Sequence, residues 1–182
     1  MSELPAEELA GICELLAQLL VSEVDDGRLA TLRDAAVVEV FEKAAPGYAD
    51  SLGGEWSPAR FDDVAATFCA LFVLPDGVPP RAGAWRADDG EFGAAVSTMA
   101  EGVIESWSLE LPPVFAELAP DHAARLLLLA GHLLRQDAAL GEEFVGRALR
   151  PWVVEFGAAL RSKSEEPIYA AVGGLLVGVF TT

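Results

Sequence analysis

Apolar positions recur at helical spacing along nearly the whole chain. Leu9, Ile12, Leu16, Leu19 and Leu20 follow an i, i+3, i+7, i+10, i+11 pattern and predict a first helix. Leu29, Leu32, Ala36, Val40 and Phe41 predict a second, stopped at Pro46-Gly47. Ser57-Pro58 reads as a helix start, with Ser as N-cap, Pro in the first turn and Asp62 and Asp63 near the positive end of the dipole. The stripe Phe61, Val64, Phe68, Leu71, Phe72 follows it. Phe92, Val96, Met99, Val103, Ile104 and Trp107 form one face of a further helix, broken by Pro112-Pro113. After Pro120-Asp121-His122 the run ARLLLLAGHLLRQ is apolar nearly all round, the mark of a central helix. Val145, Leu149, Trp152, Val153, Phe156 and Leu160 share a face around Pro151, where a kink is expected. Ser164-x-x-Pro167 opens the last helix, carrying Ile168, Val172, Leu175, Leu176 and Val179. Strand signals are few: the glycines and valines of 171–182 fit a strand, but their spacing fits a helix better. The expectation is an all-α fold, residues 1–182 forming one domain of about seven or eight helices.

One long connection interrupts the pattern. Val73 to Gly90 (VLPDGVPPRAGAWRADDG) is rich in Pro and Gly and too long for an idle link, which points to function or to order–disorder behaviour.

Composition narrows the function. Apolar residues make up 52% of 182, enough for a sizeable core and against wholesale disorder. Lys and Arg number 12 against 29 Asp and Glu, a formal charge of −17. So acidic a chain repels phosphate backbones and excludes nucleic-acid binding, while attracting basic peptides. The acids cluster: residues 1–27 and 87–124 hold seven and eight of them with no Lys or Arg. The longest charge-free stretch, Pro167–Thr182, has 16 residues, short of the roughly 20 that span a bilayer. The acidic start MSELPAEELAG lacks the basic region of a secretory leader, so a cytoplasmic protein without membrane insertion is expected.

Most catalytic chemistry finds no residues. Cys13 and Cys69 form no CxxC pair and sit on apolar faces, where thiols are inert. His122 and His132 are the only imidazoles; ten residues apart on one helix, they lie roughly 15 Å apart and cannot share an ion. No H-E-x-x-H or G-x-S-x-G motif occurs. LPDGVPPRAG has glycines but no phosphate-loop Lys, so nucleotide binding lacks its usual cradle. Asp121 and His122 as an acid–base pair of a hydrolase or transferase would point about 100° apart on a helix, poor geometry for a relay. The expectation is a protein that is not an enzyme and holds no metal.

Two segments stand out. Phe68, Leu71 and Phe72 end a helix that empties into a proline loop, Pro79-Pro80, closed by Trp85. Such a stretch builds an apolar edge with a stiff rim suited to an amphipathic or extended peptide; the alternative is that Phe68, Leu71 and Phe72, Leu71 above all, are plain core. Asp121-His122 begins a helix, where a carboxylate is held by free backbone amides and the His can donate to a main-chain carbonyl or to a ligand side chain; a cap is the alternative.

Together these segments resemble the TorD/DmsD family of molybdoenzyme-specific chaperones, in the order Phe68-x-x-Leu71-Phe72, then the loop through Gly77, Pro79, Pro80 and Trp85, then Pro120-Asp121-His122. Phe144 through Trp152, Phe156, Leu160, Ile168-Tyr169 and the closing GLLVGVF are similar to the family's last two helices. The chain departs where position 118 is Leu, with Glu117 one step beyond the family's usual Glu, and where Phe68 and Trp85 replace other aromatics. The resemblance implies an all-helical chaperone that binds the twin-arginine signal peptide of a molybdopterin oxidoreductase and holds the apoenzyme until its cofactor is inserted. A nitrate-reductase-type branch would serve a non-exported subunit instead. Some relatives imply weak guanine nucleotide binding. Either a monomer or a swapped dimer is expected, since helical domains joined by mobile loops can exchange helices. Phe68, Leu71, Phe72, Pro79, Pro80, Trp85, Asp121 and His122 are the expected peptide-contacting residues.

Overall fold

The structure, a computed structural model, describes residues 4–86 and 90–181. The expected acidic residues Glu3, Asp88 and Asp89 lie outside them. Among the described residues the ordered backbone is helical, with one isolated antiparallel bridge, Arg81 to His122. The all-α expectation holds.

The helices run in order α1 (Ala6–Val21), α2 (Asp26–Leu32), α3 (Ala35–Ala44), α4 (Tyr48–Ser51), α5 (Pro58–Phe72), α6 (Glu91–Trp107), α7 (Pro113–Ala116), α8 (Ala123–Gln136), α9 (Ala138–Phe144), α10 (Arg150–Lys163) and α11 (Pro167–Phe180). A 3₁₀ turn spans Ala82–Trp85, and a π turn, Val145–Leu149, joins α9 to α10. Pro151 explains the π turn. A proline there has no N–H and crowds the carbonyl of Arg147, and widening the preceding turn to i→i+5 bonding relieves the crowding. The expected kink is thus a local change of helix type.

Two boundaries differ from expectation. The single helix predicted over 29–41 is two: Arg33 closes α2, and the Asp34 carboxylate, accepting from Ala36 N, starts α3. The apolar stripe continues across the break, so periodicity alone does not reveal it. In α3, Ala36 is exposed, Val40 is half-buried and Phe41 supplies the buried side chain. Finally, α6 stops at Trp107 because Ser108 turns left-handed (φ 49°), before Pro112-Pro113 is reached; Pro113 opens α7 instead.

The chain forms two compact units. The first holds residues 1–21, 80–153 and 180–182; the second holds 22–79 and 154–179. In the first, α1 packs along α8. Gly131 permits the close approach, since a Cβ there would stand 3.1 Å from Ala10 O and 2.8 Å from Glu14 Cγ. Arg135 ties the pair from outside, donating to both Glu14 oxygens at 2.9 and 3.0 Å and pairing with Glu7. Leu126, Leu127, Leu129, Leu133 and Leu134 of α8 are buried, as a central helix requires. Cys13 lies against this seam, and burial pushes its thiol up to about 12, so it stays protonated and unreactive.

In the second unit α11 is buried from Ile168 to Leu176 apart from Ala170. It crosses α10 closely at Gly157 and Gly173. Glu166, ahead of α11, accepts two bonds from Arg60 of α5 at 2.7 Å each, and the same guanidinium lies 4.8 Å from the Trp56 ring.

Candidate functional site

The long connection is two tethered pieces rather than one free loop. In the second unit, Val73 to Pro79 folds back on the end of α5. Gly77 sits where a Cβ would be 2.2 Å from Leu71 O, a contact that glycine alone tolerates. Lys163 of α10 donates to the carbonyls of Asp76 and Gly77, which ties that turn to α10. Val73 and Leu74 remain exposed.

In the first unit, residues 80–85 are clamped to the head of α8. Ala82 N donates to Asp121 O at 3.0 Å and Ala123 N to Pro80 O at 2.8 Å, which forms the small bridge. The Asp121 carboxylate adds two bonds: Arg81 Nε donates to Oδ1 at 2.9 Å and Gly83 N to Oδ2 at 3.2 Å. The Asp121 side chain is 3% exposed against 58% for Arg81, a buried anion held by a cation reaching in from solvent. The start of α6 presses on the same turn. A Cβ on Gly93 would meet Gly83 Cα at 2.8 Å and Asp121 Oδ2 at 3.3 Å. The clamp is therefore closed on both sides by main chain.

His122, not Asp121, caps α8. Its Nδ1 accepts from Ala124 N at 3.2 Å, which places the proton of the neutral ring on Nε2. The expected ligand-donating role thus belongs to Nε2–H alone. Burial, opposed by the Asp121 charge and reinforced by Arg81, lowers the imidazole to about 4. The sign follows from the reference state. The unfolded chain protonates this His near its ordinary value of 6.5, so between about 6.5 and 4 the unfolded state binds more protons. The contribution of His122 is complete above pH 6.5 and is lost as pH falls toward 4. It amounts to about 2 kcal/mol once partial exposure is allowed for. His122→Asn keeps a capping acceptor and removes the titration. Urea unfolding across this window is expected to show a flatter pH dependence for the variant, and an unchanged slope would refute the assignment.

The expected peptide residues fall in both units. Phe68, Leu71 and Phe72 belong to the second. Phe68 and Leu71 are core, as the plain-core alternative has them, and Phe72 is half-buried. Phe68 and Phe72 meet edge-on at 5.0 Å, and Phe72 lies 5.7 Å from Tyr169 and 6.5 Å from Phe156. Pro79, exposed, ends that unit; Pro80, buried, opens its share of the first. Trp85 and His122 are half-buried and Asp121 is buried. The structure brings Pro80, Asp121 and His122 together through the clamp. Tyr169, fully buried with no hydrogen-bond partner for its hydroxyl, joins the aromatic cluster, and burial holds that phenol well above its ordinary range. Arg81 and Gly83 join the clamp. Neither they nor Tyr169 carry a local sequence signal, since their partners lie 38 to 101 positions away.

No protein-family profile matches the chain. Curated relatives do. The chain is 31% identical over 201 residues to "Chaperone protein TorD" of Escherichia coli O45:K1 (strain S88), covering 97% of this chain and 95% of that protein. It is 31% identical over 200 residues to the protein of that name from E. coli O81 (strain ED1a), at 97% and 94% coverage. The Shigella boydii serotype 18 protein of the same name is 29% identical over 201 residues, at 97% and 95% coverage. With likeness over nearly the full length of both partners, and an all-helical fold in which the Pro80–Trp85 turn and Pro120-Asp121-His122 form one clamp, the chain belongs to the TorD family of chaperone proteins.

Proposed function

We propose that this chain is a cytoplasmic, non-catalytic chaperone that binds the twin-arginine signal peptide of a molybdopterin-containing oxidoreductase and holds the apoenzyme for cofactor insertion before export. The observation that carries the reading is the Asp121 clamp: a buried carboxylate at the head of α8 already holds one guanidinium, that of Arg81, at 2.9 Å. A client arginine is the same chemical group. The −17 charge supplies long-range attraction for a basic peptide region, and Trp85, in the same unit as the clamp, is half-buried aromatic surface for the apolar region that follows it. The chemistry is recognition: the neutral His122 serves as a cap with one remaining donor, and neither cysteine pairs with an imidazole in any described contact.

Calorimetric titration with a synthetic twin-arginine leader tests this. The same peptide with Lys-Lys preserves charge but loses forked hydrogen bonding, and a scrambled apolar region preserves composition. Binding is expected to weaken at least about tenfold for either change, roughly the effect of losing one charge-assisted bond. Equal binding of all three peptides, or of none, overturns the reading.

A further inference from the structure

A client arginine finds both oxygens of the clamp already engaged. Arg81 Nε donates to Asp121 Oδ1 at 2.9 Å and Gly83 N to Oδ2 at 3.2 Å. The Asp121 side chain is 3% exposed, and the close main chain of Gly83 and Gly93 leaves no room for a second guanidinium beside the first. A carboxylate buried to that degree is also costly to leave without its cation. A client guanidinium therefore enters by exchange with Arg81, not by addition.

The segment that carries Arg81 has the order of a leader in miniature. Pro80–Trp85 reads PRAGAW: a cation, then small apolar residues, then an aromatic. It lies on the head of α8 through two main-chain bonds, Ala82 N to Asp121 O at 3.0 Å and Ala123 N to Pro80 O at 2.8 Å, besides the carboxylate bonds. Positions 82–84 are Ala, Gly and Ala, and Arg81 and Ala84 are exposed, so lifting these residues uncovers little apolar surface.

The groups beneath the segment define its replacement. Asp121 O and Ala123 N belong to buried residues and require main-chain partners. They accept and donate on either side of His122, the pattern of the antiparallel bridge it forms with Arg81. An extended chain with arginine in the place of Arg81 restores both bonds and refills the carboxylate together. We propose that Pro80–Trp85 is an internal stand-in for the client, a strap that holds the Asp121 site until an extended, arginine-bearing stretch of the leader displaces it. The proposal rests on leader recognition at the clamp. Leader affinity is then reduced by the fraction of molecules in which the strap is closed, and weakening the strap raises it.

Hydrogen exchange of the full chain, alone and saturated with the synthetic twin-arginine leader, tests the exchange. In the complex the Ala82 and Gly83 amides are expected to exchange at least about tenfold faster, because their acceptors pass to the client. The Ala123 amide should keep its protection, since a client carbonyl replaces that of Pro80. Ala82→Pro gives a second measurement. It deletes the N–H that bonds Asp121 O and leaves every receiving group in place. It also suits the first position of the 3₁₀ turn, after an extended Arg81 (φ −130°, ψ 133°). Calorimetry is expected to show the leader binding this variant about threefold more tightly than wild type, or better. Unchanged or slower exchange at Ala82 and Gly83 in a complex that calorimetry shows to have formed overturns the strap and leaves leader recognition standing. So does a folded Ala82→Pro that binds the leader no more tightly. A leader that does not bind the wild-type chain overturns both.

Discussion

Gly173→Val is expected to cost about 3–5 kcal/mol and lower the melting temperature by about 10 °C. The reason lies in where α11 crosses α10. A Cβ on Gly173 would stand 2.5 Å from Gly157 O and 2.6 Å from Arg161 N. Both are backbone atoms inside a helix, so neither can rotate away; the two helices must separate. Separation also loosens the packing around Leu160, Ile168, Val172 and Leu176, all buried. Gly178→Ala in the same helix is the control, because a Cβ there meets nothing. It should be neutral or stabilising by up to about 1 kcal/mol. Thermal melts of both variants decide the matter. If Gly178→Ala is as damaging as Gly173→Val, the effect belongs to glycine content and not to the crossing.

That crossing illustrates what the sequence makes legible. The helix itself was readable over 168–179, because Ile168, Val172, Leu175, Leu176 and Val179 keep helical spacing despite the glycines. The reason for its glycines was not, because it depends on a partner 16 positions away. The same division runs through the chain. Ser57-Pro58 announced α5, and Ser57 does accept from Arg60 N, since a cap is a local interaction. The Arg33-Asp34 break, the left-handed Ser108 and the π turn at 145–149 leave the apolar stripe intact, so periodicity passed over all three.

The site divides likewise. Pro120-Asp121-His122 and the Pro79–Trp85 segment were recognisable as unusual, and they do include a clamp. The roles within it were not readable. Asp before a helix suggests a cap, yet His122 takes that position because the Asp121 side chain is drawn to Arg81 and Gly83, 40 and 38 residues earlier. The chain lets the shorter-range bond go to the imidazole and spends the carboxylate on the loop. Likewise the stripe Phe68, Leu71, Phe72 looked like a single peptide-facing edge, but two of its three members are core.

Because Asp121 is engaged within the protein, its variants separate two ways it could matter. Asp121→Ala is expected to cost about 2 kcal/mol, since the part-buried Gly83 N–H and the Arg81 guanidinium lose their acceptor together. Amide exchange should accelerate at Gly83. Ala82 and Ala123 should keep more of their protection, because they donate to the carbonyls of Asp121 and Pro80, which the substitution leaves in place. Leader binding should fall at least about tenfold. Arg81→Ala makes the sharper comparison. Its guanidinium, more than half exposed, contributes less to stability, about 1 kcal/mol, and its removal leaves the carboxylate still held by Gly83 N. If Asp121 receives a client arginine, Arg81 is that arginine's competitor, and Arg81→Ala binds the leader more tightly than wild type. Should Arg81→Ala instead weaken the leader as much as Asp121→Ala does, the carboxylate acts only by fixing the 80–85 turn, and the client arginines bind elsewhere.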